Sequence, residues 1–107
     1  MRRGELYRVR RPAGDPRPAR VFVIVSRQAL IDSRFSFVIC APVYSSGADL
    51  ATQVPVGVDE GLKRNSWIMC DNLVSLAKTQ LTDYVGSLSR AKVNELARSL
   101  SVALDLL

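Results

Sequence analysis

The sequence predicts an α+β domain, a small, strongly bent antiparallel β-barrel followed by a C-terminal helix. Three observations carry this. Short apolar runs, β-branched or alternating, recur through most of the chain and are separated by turn residues. The apolar period then changes to threes and fours in the last residues, as one face of a helix requires. With 107 residues, 48% of them hydrophobic, the chain can bury one core without staples, so a single domain spans 1–107. A run of strands closed by one helix is the α+β order.

Gly4 to Arg10 sets Leu6 and Tyr7 among charges and reads as a half-buried first strand. The segment from Arg11 to Pro18 holds three prolines and a glycine, which remove donors and fix turns, so it is a loop. Val21 to Val25 is a continuous β-branched and aromatic run, hence a buried strand. Ser26 to Arg34 is polar, with a short helical turn over Gln28–Ile31. Phe35 to Val43 forms the third strand, and Pro42 is expected to place its end at an edge or bulge. A turn follows over Ser45–Asp49, then a short strand, Gln53–Val56, and a polar turn, Asp59–Asn65. Ser66 to Asp71 and Leu81 to Ser87 are the last extended segments. On the C-terminal helix, Val93, Leu96, Leu100, either Ala103 or Leu104, and Leu107 share one face. Ser89 suits the N-cap, and Leu88 and Val93 suit the N′ and N4 positions of a hydrophobic staple.

Net charge is +5 and unevenly placed. Residues 1–34 hold nine arginines against Glu5, Asp15 and Asp32, whereas the remainder has six bases and seven acids. A basic N-terminal third suits a polyanion or an acidic protein partner, or is simply a solvated surface. Cys40 and Cys70 sit inside apolar runs and read as core residues. Two cysteines without histidine make no zinc site, so no metal or cofactor is expected. No apolar segment follows the basic N-terminus and no run is long enough to span a bilayer, so a soluble, cytoplasmic protein without membrane contact is expected. The chain contains no histidine. Triads that use histidine as base, and the two-histidine ribonuclease mechanism, are therefore excluded.

Five segments, in order, resemble the PemK/MazF toxin family. Met1-Arg-Arg-Gly-Glu-Leu-Tyr7 is similar to its RGEIW opening, and Arg20-Val-Phe-Val-Ile-Val-Ser26 to its RPVLVVS strand. Val38-Ile-Cys-Ala-Pro-Val-Tyr-Ser45 resembles VIVAPITS, and the stretch from Leu62 to Asn72 resembles GLxxxSxVxxDQ. Leu81 to Ser89 resembles the LxxxxGxLS lead into the last helix. The resemblance implies a dimerising SH3-like barrel, the fold that gyrase inhibitors of the CcdB type share. It implies sequence-selective cleavage of single-stranded RNA, restrained by a cognate antitoxin, here expected to be acidic. The chemistry implied is metal-free attack of a ribose 2′-OH on the adjacent phosphate, leaving a 2′,3′-cyclic phosphate and a 5′-OH.

On this resemblance Arg20 stands at the family's catalytic arginine. Val21 replaces the proline that follows it there, and Arg17-Pro18 upstream offers Arg17 as a second candidate. Tyr44 takes the place of a threonine, so Ser45 is expected to supply the small hydroxyl while Tyr44 and Ser46 touch RNA. Asp71 matches a candidate general base, or else caps the turn at Asn72, itself a candidate RNA contact; Met69 replaces the companion arginine. Arg8, Arg10 and Arg11 are candidates for phosphates or for the antitoxin. Two other readings stand beside this one. A gyrase inhibitor of the CcdB type carries a bulky aromatic near its C-terminus, where this chain has Ala103-Leu-Asp-Leu-Leu107. An SH3-like RNA- or protein-binding module without catalysis is suggested by Tyr44 and Met69.

Overall fold

Strands β1 (Glu5–Val9), β2 (Arg20–Ile24), β3 (Phe37–Tyr44), β4 (Gln53–Val56), β5 (Ser66–Met69), β6 (Val74–Ala77) and β7 (Asp83–Ser87) form one antiparallel sheet in a computed structural model that describes residues 1–106. Helix α1 (Gln28–Ile31) follows β2, and α2 (Arg90–Ala103) ends the chain. Three 3-10 turns, at Val58–Glu60, Cys70–Asn72 and Lys78–Gln80, punctuate the second half. The strand order is β4-β5-β3-β2-β1-β7, with β6 also paired to β3.

The bend of the barrel is made in β3. Its first half, Phe37 to Cys40, pairs with β6, while Val43 and Tyr44 pair with β5. β2 runs along the opposite edge, opposite Cys40, Ala41 and Pro42. The sequence places the end of this strand, at Pro42, at an edge or bulge, and β3 runs two residues past it, to Tyr44. Pro42 sits between the last β6 pair and the first β5 pair, where β3 exchanges one neighbour for another and a missing donor is tolerated. From Cys40 to Val43 the strand is buried on both faces, whereas its start is buried on one only. Phe37 and Ile39 are exposed while Ala41 and Val43, on the same face, are buried.

Both faces of the sheet consequently carry a core. Leu6, Val23, Ala41, Val54, Ile68 and Leu96 lie in the larger cluster under α2, and Tyr7, Ile24, Ile31, Val38, Cys40 and Leu81 in the smaller one near α1. On α2, Leu96 is fully buried and Val93, Leu100 and Ala103 pack on the same core. Ala103, not Leu104, completes the face, because the helix ends at Ala103 and Leu104 is exposed. Leu107 lies outside the described residues. The Ser89 hydroxyl accepts from the Lys92 amide at 3.2 Å, the expected N-cap.

The curl is completed by two glycines. Gly61 has φ +90°, and a Cβ there would collide with the Val85 carbonyl; a Cβ on Gly86 would collide with the Glu60 carbonyl. This bare contact lets the turn after β4 lie against β7, at the other end of the strand order. β6 has no counterpart in the sequence reading. Its four residues, none of them buried, give too short an alternation to stand out.

Candidate active site

Pairing register builds the site. Phe22 lies opposite Pro42 in the β2–β3 ladder. Two residues further along the same antiparallel register, Arg20 meets Tyr44. The Arg20 guanidinium lies 4.3 Å from the centroid of the Tyr44 ring, and its Nη1 donates to the Val43 carbonyl at 3.4 Å. A cation over a ring at such a site contributes about 0.5–1 kcal/mol. Its larger consequence is orientation, since the guanidinium plane is held before any ligand arrives.

Arg20 and Tyr44 open on a cleft of about 490 Å³. Arg11, Arg17 and Arg20 give it positive charge, Tyr44 and Asn72 give it neutral polar groups, and Phe22, Pro42, Leu73 and Val74 line it with apolar surface. No carboxylate is among the described residues that line it. The loop between β1 and β2 sets the rim. Arg11 Nε donates to the Pro18 carbonyl at 3.2 Å, and Arg17 Nη2 lies 2.7 Å from Asp15 Oδ2. Hydrogen bonds from Arg17 hold the Asp15 carboxyl well below the usual carboxylate range and push the Arg17 guanidinium up. Arg17 thus enters the cleft already paired, whereas Arg20 sits on a strand. An arginine-lined depression with an apolar floor suits a phosphate flanked by a sugar or base.

The structure brings Arg20, Tyr44, Asn72, Arg11 and Arg17 together. Arg10 lines two smaller depressions beside them. Ser45, Ser46 and Asp71 are not among the residues lining the cleft. β3 ends at Tyr44, its residue beside Arg20, and Ser45 is already an exposed residue of the bend that follows. Asp71 is exposed in a 3-10 turn, where its Oδ2 accepts from the Thr52 hydroxyl at 2.7 Å. The apolar lining, Phe22, Pro42, Leu73 and Val74, was not read from the sequence. Phe22 had a signal in its period-two spacing from Arg20, but Leu73 and Val74 arrive from a distant segment. Both cysteines are buried and free, and burial pushes the Cys40 thiol up to about 12 and that of Cys70 up to about 11.

Residues 2–104 match the family described as PemK-like, MazF-like toxin of type II toxin-antitoxin systems. The chain belongs to this family. This PemK/MazF-type toxin is 31% identical over 88 residues to Endoribonuclease MazF3 of Mycobacterium tuberculosis, covering 82% of the chain and 84% of that relative. The Mycobacterium tuberculosis toxin MazF-mt6 superposes with a TM-score of 0.81 at 26% identity, over 94% of this chain and 96% of that one. An endoribonuclease from a mycobacterial species, solved in complex with its cognate antitoxin, gives 0.84 at 27% identity, over 100% and 97%. MazE–MazF from Deinococcus radiodurans, at 16% identity and TM-score 0.77 over 100% of this chain and 97% of that one, shares the fold. The curled antiparallel sheet with its C-terminal helix is the MazF toxin architecture.

Proposed function

We propose that this endoribonuclease toxin of the MazF type cuts single-stranded RNA at the Arg20–Tyr44 cleft by attack of a ribose 2′-OH on the neighbouring phosphate. The 2′-OH gives its proton to water as its oxygen bonds to phosphorus, the bond to the 5′ oxygen breaks, and that oxygen takes up a proton, so the products are a 2′,3′-cyclic phosphate and a 5′-OH end. The observation that carries this reading is the Arg20 guanidinium, fixed over the Tyr44 ring in a cleft lined by three arginines and no carboxylate among the described residues.

Charge develops on the phosphorane oxygens in the transition state. Arg20 supplies preorganised N–H donors and a full positive charge at that place, the electrostatic part that a metal ion supplies elsewhere. Tyr44 offers a phenolic hydroxyl to a phosphate oxygen or leaving group and a ring face to a base, which is worth about 1–3 kcal/mol in single-strand binding. Asn72 and Arg11 hold the flanking nucleotide. Ser45 and Asp71 lie outside the cleft lining, so this reading gives Tyr44 the hydroxyl role first expected of Ser45. The attack needs no metal. Purified protein incubated with single-stranded RNA in excess chelator should cut it and leave 5′-OH ends. Loss of cutting in chelator, 5′-phosphate products, or cutting at a site whose 2′-OH is replaced by hydrogen would overturn the mechanism.

Two partners follow. An acidic antitoxin segment covers the arginines and folds on binding; its presence should abolish RNA cleavage. A second copy of the chain docks on the exposed face of β3, where Phe35 and Phe37 stack edge to face with centroids 6.4 Å apart beside Ile39. The α2 stripe is not available for that contact, since Leu96, Val93 and Leu100 are spent on the core of their own chain.

A further inference from the structure

The cleft does not end at Arg20. A second depression of about 150 Å³ shares Arg11, Arg20 and Phe22 with it and adds Arg10, Leu76 and Gln80. A third, of about 190 Å³, shares Val9, Arg10 and Gln80 with the second and is completed by Arg8, Thr79, Thr82 and Asp83. The three adjoin through these shared residues, and their combined lining carries Arg8, Arg10, Arg11, Arg17 and Arg20. Asp83 is the one carboxylate among the described residues that line them.

A carboxylate in a groove for a polyanion repels phosphate. It is useful there where it meets a group that donates; on a base edge an exocyclic amino group serves best, because the one ring N–H of uracil is flanked by two carbonyl oxygens that repel a carboxylate. Asp83 is not locked elsewhere. Its contact with Arg8 is long, 3.8 Å, and both side chains are about 40% exposed, 42% and 40% respectively, so the pair is weak and can open. Thr82, Thr79 and Gln80 beside it are neutral groups able to complete a base contact. The third depression is also smaller than the active cleft, about 190 Å³ against about 490 Å³.

We infer that the Arg8–Thr82–Asp83 depression is a specificity subsite that takes one base of the substrate strand, at a fixed distance from the cut, and selects bases bearing an exocyclic amino group over uracil. This rests on the Arg20–Tyr44 cleft being the cleavage site. Asp83 accepts from the amino group, Thr82 supplies the second hydrogen bond, and Arg8, released from Asp83, turns to a phosphate.

The test is cleavage of a randomised short RNA pool by the wild type, Asp83→Asn and Thr82→Val, with cut ends sequenced and each variant's folding checked by its thermal melt. The wild type should disfavour uracil at one position displaced from the cut, on the order of tenfold. Asp83→Asn should reduce that penalty, because an amide can donate to the uracil carbonyl, and should leave preferences at other positions alone. Thr82→Val, outside the strand and exposed, should blunt the same position if Asp83→Asn misfolds. A wild type that cuts RNA but tolerates uracil at every position, or variants with wild-type preference at all positions, would overturn the subsite. A wild type that cuts nothing would instead overturn the cleavage reading itself.

Discussion

Arg20 and Tyr44 act as a pair only because one cross-strand register places them together. Arg20→Ala removes the charged donor to the transition state and should slow single-turnover cleavage of a short RNA about 100- to 1000-fold, or ~2.7–4 kcal/mol. Tyr44→Phe should cost less, and Ser45→Ala least, since Ser45 lies off the cleft lining; a Ser45→Ala loss larger than that of Tyr44→Phe would reverse the roles. If Arg17→Ala is more damaging than Arg20→Ala, the loop arginine is the functional one. The thiols give a separate check. An exposed thiol ionises near 9, whereas burial holds Cys70 at about 11 and Cys40 at about 12. The folded state thus favours the neutral thiols. Their contribution to stability is fully present below pH 9 and is lost as pH rises from 9 toward 12. The urea midpoint should fall across that window, and at pH 8 the native protein should resist iodoacetamide while the unfolded chain reacts.

At the scale of elements, α2 is held by its inner face and by its cap. Leu96 has no exposed surface, so Leu96→Ala should cost about 2–5 kcal/mol in chemical unfolding. Val102, half exposed on the outer side, should tolerate alanine within about 0.5 kcal/mol. Equal costs at the two positions would mean that the helix packs differently. β3 is the other decisive element. Its eight residues serve three neighbours, are buried on one face at their start and on both faces from Cys40 to Val43, and deliver Tyr44 to the cleft at their end. A shorter strand would build either the α1 core or the α2 core, but not both.

For the whole molecule, the proposed RNA binding by the arginines of the three adjoining depressions should depend on salt. With about three phosphates neutralised, log K should fall against log salt with a slope of about −2, and Arg10→Ala should reduce the slope by about 0.7. A salt-independent affinity would place binding elsewhere. Assembly is the second property at this scale. Phe37 is 47% exposed at the centre of the aromatic patch, so Phe37→Glu should convert a wild-type dimer to a single-chain mass in light scattering while the thermal melt stays cooperative. A wild type of single-chain mass at micromolar concentration would dismiss the dimer.

Most of the strands, the C-terminal helix, its Ser89 cap and the two buried cysteines were legible in the residues. Each depends on local period, local turn chemistry or apolar neighbours within a few positions, and such signals survive without knowledge of the fold. The resemblance in five ordered segments carried the rest of the family reading. What the chain alone left open depended on pairing. Pro42 reads in isolation as an edge or bulge near a strand end, and only the pairing makes it the place where β3 exchanges β6 for β5. β6 is too short and too exposed to announce itself until β3 offers it an edge. Ser45 and Tyr44 are adjacent in sequence, yet β3 ends at Tyr44, and only its register with β2 sets Tyr44 against Arg20. Asp71 and Asn72 are likewise neighbours, and the tight turn that carries them puts Asn72 alone in the cleft lining and Asp71 against Thr52. Side chains are chosen one at a time along the chain, but a site is made of those that the sheet sets on one face.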